Sequence, residues 1–161
     1  RLDEEISDEF LQMLDSVCRK DARIVAAFMG KYQNYEESIK KYPLLAANSR
    51  CLGAQEDALA VTECMDLYVN PKRNGGGSSV AEALYKGLPA VTLPVGDVSA
   101  AAGESFRVAD YGEMAETILH FASDEDYYER MSRLAEERAE QLMDSKNSFC
   151  GVIDELEQDM N

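Results

Sequence analysis

The residues of this chain whose types and spacing suit chemistry lie together, in Lys72-Arg73-Asn74-Gly75-Gly76-Gly77-Ser78-Ser79 and, three residues on, Glu82. An apolar stretch, Leu67–Asn70, ends in Pro71 just before them, and helix-forming residues follow from Ser79 to Lys86. A strand running through a glycine turn into a helix aims unpaired backbone amides outward, at the positive end of the helix dipole. That arrangement favours a phosphate or pyrophosphate. Ser78 and Ser79 add hydroxyl donors and can cap the helix, and Lys72 and Arg73 add local positive charge. Glu82 stands one turn into the expected helix, where a carboxylate can accept hydrogen bonds from a ribose diol. Each feature also has a plain structural reading: a glycine turn that joins strand to helix, a serine cap, and a capping box made by Ser79 and Glu82. The spacing is neither a Walker loop nor Gly-x-Gly-x-x-Gly.

Such a site needs a scaffold, and the flanking sequence supplies one. Phe10, Leu11, Leu14 and Val17 recur at helical spacing over Ser7–Lys20, with Ser7 or Asp8 as the cap. Ala22–Met29 is a short apolar run that reads as a buried strand ending at Gly30. A short helix is expected over Tyr35–Lys41, stopped before Pro43, then a strand over Ser49–Leu52 ending at Gly53. Asp57 caps a helix to about Cys64. Pro89–Leu93 is the next strand, Pro94–Gly103 a loop of small residues, and Phe106–Ala109 a weak strand. Helices follow from Asp110 or Tyr111 to Phe121, from about Asp124 to Leu142, and over Ser148–Leu156. Strands alternating with helices give an α/β, three-layer, Rossmann-like domain with a mostly parallel sheet and C-terminal helices. Ligands of such sheets bind beyond the carboxyl ends of the strands, here Gly30, Gly53, Asn70-Pro71 and the Pro94–Asp97 loop.

Composition narrows the partners. The chain has 161 residues and a formal net charge of −15, which argues against nucleic acid and anionic membrane surfaces. A small phosphate-bearing ligand needs only a local site. Hydrophobic residues make up 45%, but no apolar run approaches the ~20 residues that span a bilayer, so no transmembrane segment is expected. Cys18, Cys51, Cys64 and Cys150 form no Cys-x-x-Cys pair and read as buried or half-buried free thiols of a reducing cytoplasm. No metal site is expected. His120, the single histidine, reads as a surface or packing residue; Tyr127 and Tyr128 read as packing; Asp97 and Lys31, at strand ends, stay open between ligand contact and solvation.

The stretch Asp66-Leu67-Tyr68-Val69-Asn70-Pro71, then Gly75-Gly76-Gly77-Ser78-Ser79, then Glu82-Ala83-Leu84-Tyr85-Lys86-Gly87-Leu88-Pro89-Ala90-Val91, resembles the donor site of GT-B glycosyltransferases. The resemblance covers nearly the whole chain more loosely, and Gly53 falls at the turn flanking the base. It implies that residues 1–161 are one domain, the C-terminal Rossmann-like half of such an enzyme, whose first strand and N-terminal acceptor-binding domain lie outside this sequence. The implied function is binding of a nucleotide-diphosphate sugar, UDP- or GDP-linked, for transfer to an acceptor. The implied nucleotide-sugar-binding residues are Gly53, Pro71, Gly75, Gly76, Gly77, Ser78, Ser79 and Glu82, with no metal or other cofactor, and the fragment alone is expected to be inactive. Retaining members carry a Glu-x7-Glu pair; the second Glu matches Glu82, but the first falls at Asn74, which leaves stereochemistry and sugar open. Arg1 matches a diphosphate-contacting arginine, so Arg1 and Asn74 occupy the catalytic positions. The lysine that should follow Arg1 is absent before Lys20. The location implied is cytoplasmic, with the inner face of the membrane open for the full-length protein. Two rivals share the same residues: half of a UDP-GlcNAc 2-epimerase-like enzyme, which the single histidine weighs against, and a non-catalytic binding or assembly module with the same fold, which Asn74 and the missing lysine favour.

Overall fold

In the computed structural model the backbone is described for residues 2–159 and the side chains for residues 2–144. Arg1 lies outside the described residues, and the side chain of Cys150 does too. Helix α1 (Leu2–Glu5) leads into α2 (Asp8–Lys20). Ser7 caps α2, its Oγ accepting from the Phe10 N–H at 3.2 Å, with Asp8 and Glu9 in the first turn and Arg19 and Lys20 in the last. That charge order suits the helix dipole. Its apolar stripe, Phe10, Leu11, Leu14 and Val17, is buried together with Met13 and Cys18.

Strand β1 (Ala26–Met29) pairs in parallel with β2 (Ser49–Gly53). Between them stand two short helices, α3 (Tyr35–Ile39) and α4 (Pro43–Ala47), rather than the one expected. The first helix stops at Ile39, short of Pro43, which instead opens the second, where a missing N–H costs nothing. The buried Asp15 carboxylate accepts from the N–H groups of Leu44 and Leu45 at 3.0 and 2.9 Å, tying α4 to α2. Cys51 and Cys64 are exposed, contrary to the expectation of burial; Cys18 is buried, and all three are free thiols.

After α5 (Ala58–Thr62), capped by Asp57, strand β3 (Tyr68–Val69) pairs in parallel with β4 (Ala90–Val91) across helix α6 (Gly77–Tyr85). Thr92 then bridges in parallel to Arg107, which is all that forms of the strand expected over Phe106–Ala109. The expected small-residue loop holds helix α7 (Gly96–Ala102), followed by a single 3₁₀ turn. Helix α8 (Tyr111–Ser123) is capped by Asp110, and α9 runs unbroken over Glu125–Asp159, merging the two C-terminal helices expected from sequence. The architecture is α/β with parallel strands and helices packed around them. Val80, Leu84, Val91, Val98 and Met114 sit at its centre, at 0–1% exposure. None of its described helices is long and apolar enough to cross a membrane.

Candidate functional site

The site forms where β3 delivers the chain to the amino end of α6. Asn70 closes the strand and is buried; its amide donates to the Pro71 carbonyl at 2.8 Å and its Oδ1 accepts from the Tyr68 hydroxyl at 3.3 Å. Pro71 is buried beside it. The Lys72 N–H donates to the Tyr111 hydroxyl at 3.1 Å, fixing the start of the loop to α8. The loop's far side is held by α7: the Asp97 N–H donates to the Asn74 carbonyl at 2.8 Å. Gly96 permits this contact, because a Cβ there would fall 2.4 Å from that same carbonyl oxygen.

Helix α6 begins earlier than its sequence implies. Gly76 is the N-cap, with φ +102°, and supplies no side-chain cap. The helical ladder begins with the Val80 N–H donating to the Gly76 carbonyl at 3.3 Å, so the amides of Gly77, Ser78 and Ser79 form the open amino end. Ser79 therefore does not cap. Its Oγ donates back to the Gly76 carbonyl at 2.9 Å and shares a 2.8 Å hydrogen bond with the Tyr68 hydroxyl. The capping box with Glu82 is excluded for the same reason: Glu82 lies six residues past the cap, where it cannot reach the cap N–H. It is exposed, and its side chain has no ion-pair or hydrogen-bond partner among the described residues. Ser78, Ser79 and Glu82, spaced by three and four, share one face of α6, and Val80, Ala83 and Leu84 are buried on the other.

Positive charge at this end comes from Arg73. Its Nη1 makes a 2.6 Å ion pair with the Glu5 carboxylate of α1, and its Nη2 lies 3.4 Å from Ser79 Oγ. The guanidinium rests directly on the bare Cα of Gly76, and its buried Nε donates to nothing. Gly75, Ser78, Asn74 and Lys72 are exposed around it. The structure thus gathers Pro71, Asn74, Gly75, Gly76, Gly77, Ser78, Ser79 and Glu82 along one loop and helix. Gly53 ends β2 on the other strand pair, where its carbonyl accepts from the Gly30 N–H at 2.8 Å. Sequence reasoning missed Tyr68, Gly96 and Glu5. The first two had a signal, since Tyr68 is a polar-tipped residue in the strand leading to the loop and Gly96 opens an Ala-rich helix. Glu5, 68 residues from Arg73, had none.

Among the described residues no three His, Cys, Asp or Glu side chains cluster as metal ligands. His120 bonds Asp124 at 3.2 Å and stacks on the Tyr127 ring at 3.9 Å, at the α8–α9 joint. Lys31 and Gln33 line a separate cavity of about 300 Å³ with Asp3, Glu4 and Asn34. There Asp3 accepts from the N–H groups of Asn34 and Gln33, which hold its carboxyl below the usual carboxylate range.

No curated protein sequence matches the chain. Among solved structures, Anabaena Alr3699/HepE in complex with UDP and glucose is similar at TM-score 0.72 and 15% identity, covering 94% of this chain and 45% of that one. A point mutant of S. aureus TarM, in complex with Fondaparinux, alpha-GlcNAc-glycerol and UDP, is similar at 0.71 and 18%, covering 88% and 32%. WaaG, a glycosyltransferase involved in lipopolysaccharide biosynthesis, is similar at 0.71 and 16%, covering 86% and 40%. The chain spans less than half the length of each. These likenesses establish the Rossmann-like fold of GT-B proteins, and the model of one sequence family, glycosyl transferases group 1, matches residues 2–124. The chain belongs to the glycosyl transferases group 1 family.

Proposed function

We propose that this chain is the donor-binding part of a glycosyltransferase that uses a nucleotide-diphosphate sugar. One observation carries the reading: the open amino end of α6, with Arg73 laid across its cap and Glu82 on the same helix, forms a single surface with two chemistries. The amides of Gly77, Ser78 and Ser79 and the Arg73 guanidinium suit a diphosphate. Glu82 suits the ribose diol; at about 1.5 Å of rise per residue it stands roughly 9 Å along the helix from the cap, the order of distance a nucleoside diphosphate spans. Family membership and the UDP bound in HepE support the same reading.

Catalysis at such a surface is electrostatic. As the sugar departs, charge grows on the diphosphate, and fixed amides and a guanidinium already point at it without reorganising. Lys72, exposed at the loop, adds to that field, and this reading assigns the work to helix and cations rather than to a metal or other cofactor. Arg1 is assigned to the diphosphate from the family resemblance alone. The acceptor and any general base belong to a partner domain outside this sequence, consistent with the chain spanning 32–45% of its structural relatives. The chain alone therefore binds donor without transferring sugar. Asn74 favours a second reading, a non-catalytic module that keeps the donor fold, because a neutral amide stands where retaining members carry a carboxylate.

Calorimetric titration with UDP, GDP and ADP tests the proposal. Micromolar to low-millimolar binding of one diphosphate, weakened by Glu82→Ala and by Ser79→Ala, is expected. Equal affinity in the wild type and Glu82→Ala would remove the ribose assignment, and no binding of any diphosphate would leave the non-catalytic reading. Sugar transfer by the parent protein separates the two readings.

A further inference from the structure

The loop contains a cation that is engaged but not satisfied. Arg73 offers five N–H donors in a fixed fork. Nη1 is spent on Glu5 at 2.6 Å, Nη2 makes only a long 3.4 Å contact with Ser79, and Nε is buried without an acceptor. An orphaned guanidinium donor at the amino end of a helix calls for an anion with several oxygens. Glu5 satisfies only one edge of the fork, and it reaches across from α1. The pair is partly open to solvent, at 19% and 27% side-chain exposure, so a ligand can reach it.

Resting on the donor-site reading, we propose that Arg73 is the principal cation for the diphosphate in this chain and that Glu5 is a built-in competitor for it. In the ligand-free state Glu5 holds the guanidinium over Gly76, in line with the helix amides. The incoming diphosphate displaces the Glu5 carboxylate from Nη1 and draws the guanidinium off Gly76, so that the Nε buried there can donate as well and one ion pair becomes a bidentate one. Glu5 therefore sets the affinity for donor and product alike, and α1 loosens from the loop when the site fills.

Titration of the chain with UDP, GDP and ADP in wild type, Glu5→Gln, Arg73→Gln and the double variant tests this, with thermal melts confirming that each folds. Arg73→Gln should weaken the best diphosphate about 10- to 100-fold, the loss of a charged hydrogen-bond partner. Glu5→Gln should tighten it about 2- to 5-fold, the release of a partly exposed ion pair. The tightening must vanish when Arg73→Gln is also present. Glu9→Gln, which removes the same charge from the exposed first turn of α2, should leave affinity unchanged. Arg73→Lys should fall between, having charge without the fork. Unchanged or weaker binding in Glu5→Gln, or equal tightening by Glu9→Gln, overturns the competitor. Wild-type affinity in Arg73→Gln overturns the cation while leaving the donor-site reading intact. Absence of diphosphate binding in wild type and Glu5→Gln alike overturns both.

Discussion

Two adjacent glycines in the loop should differ sharply in their tolerance of a single methyl group. At Gly76 a Cβ would sit 2.0 Å from Arg73 Nη2, 2.7 Å from Cζ and 2.8 Å from Nε, on backbone at φ +102°. Holding an L side chain in that region costs about 1–2 kcal/mol. Displacing the guanidinium forfeits its contacts with Ser79 and Glu5, and because the pair is partly exposed that loss is only about 0.2–1 kcal/mol. Gly76→Ala should therefore destabilise by about 1–3 kcal/mol, lowering Tm by roughly 3–10 °C in a chain of this size. At Gly75 nothing lies within 4 Å of a Cβ, and φ is not positive. Gly75→Ala should stay within about 0.5 kcal/mol of wild type. Gly96→Ala should be the worst of the three, about 2–4 kcal/mol, because its Cβ meets the backbone of Arg73 and Asn74, which cannot swing aside. Differential scanning calorimetry of the three variants reads all of this. A Gly76→Ala variant that melts with wild type would rule out the predicted clash and strain, as would a Gly75→Ala variant as unstable as Gly76→Ala.

Three further outcomes follow from the same structure. Leu84→Ala, at 0% exposure on the buried face of α6, should cost about 2–5 kcal/mol in denaturant titration, with the midpoint rather than the slope carrying the loss. Tyr68→Phe removes both the 2.8 Å bond to Ser79 and the 3.3 Å bond to the buried Asn70 Oδ1, and should cost about 1–3 kcal/mol, leaving the serine to its bond with the Gly76 carbonyl. Among the described residues three carboxyls sit below their usual range: Asp21 at about 2, held by Arg23; Asp124, by the Tyr127 N–H and then His120; and Asp3, by the Asn34 and Gln33 N–H groups. Each favours the folded state when ionised, so stability is full above about pH 4 and falls as the pH drops toward 2. Melts between pH 5 and 2 (roughly the span of those carboxyls) should show that decline, and Asp21→Asn should flatten it.

The part of the fold written in local sequence was readable, and the part made by distant contacts was not. Val80, Ala83 and Leu84 recur at helical spacing after a glycine run, so the strand, loop and helix of the site could be placed from residues alone. The helix start was misplaced because Ser78 and Ser79 look like caps, whereas the left-handed Gly76 makes the turn without a side chain. Helix α7 was hidden by Pro94 and Gly96, which mark loops; the Ser99-Ala100-Ala101-Ala102 run with Gly103 behind it carried the opposite, correct signal. The long C-terminal helix was divided at residues that are polar but not helix-breaking. The lengths of β1, β3 and β4 were overstated, since a strand ends where pairing ends and β3 and β4 share only Tyr68–Ala90 and Val69–Val91. Of the candidate site, the placing of the glycine loop and of Glu82 on the helix after it was legible. The Glu5–Arg73 pair was not, for nothing near Arg73 in sequence announces an acid from α1.

Whether a nucleoside diphosphate seats on the amino end of α6 is read out by amide chemical-shift mapping of the ¹⁵N-labelled chain during titration with UDP and GDP. Saturable shifts concentrated at Gly75 to Ser79 and at Arg73, with Glu82 following, are expected. Shifts confined to Lys31, Gln33 and Asn34 around the other cavity, or no shift at millimolar ligand, would contradict that seating.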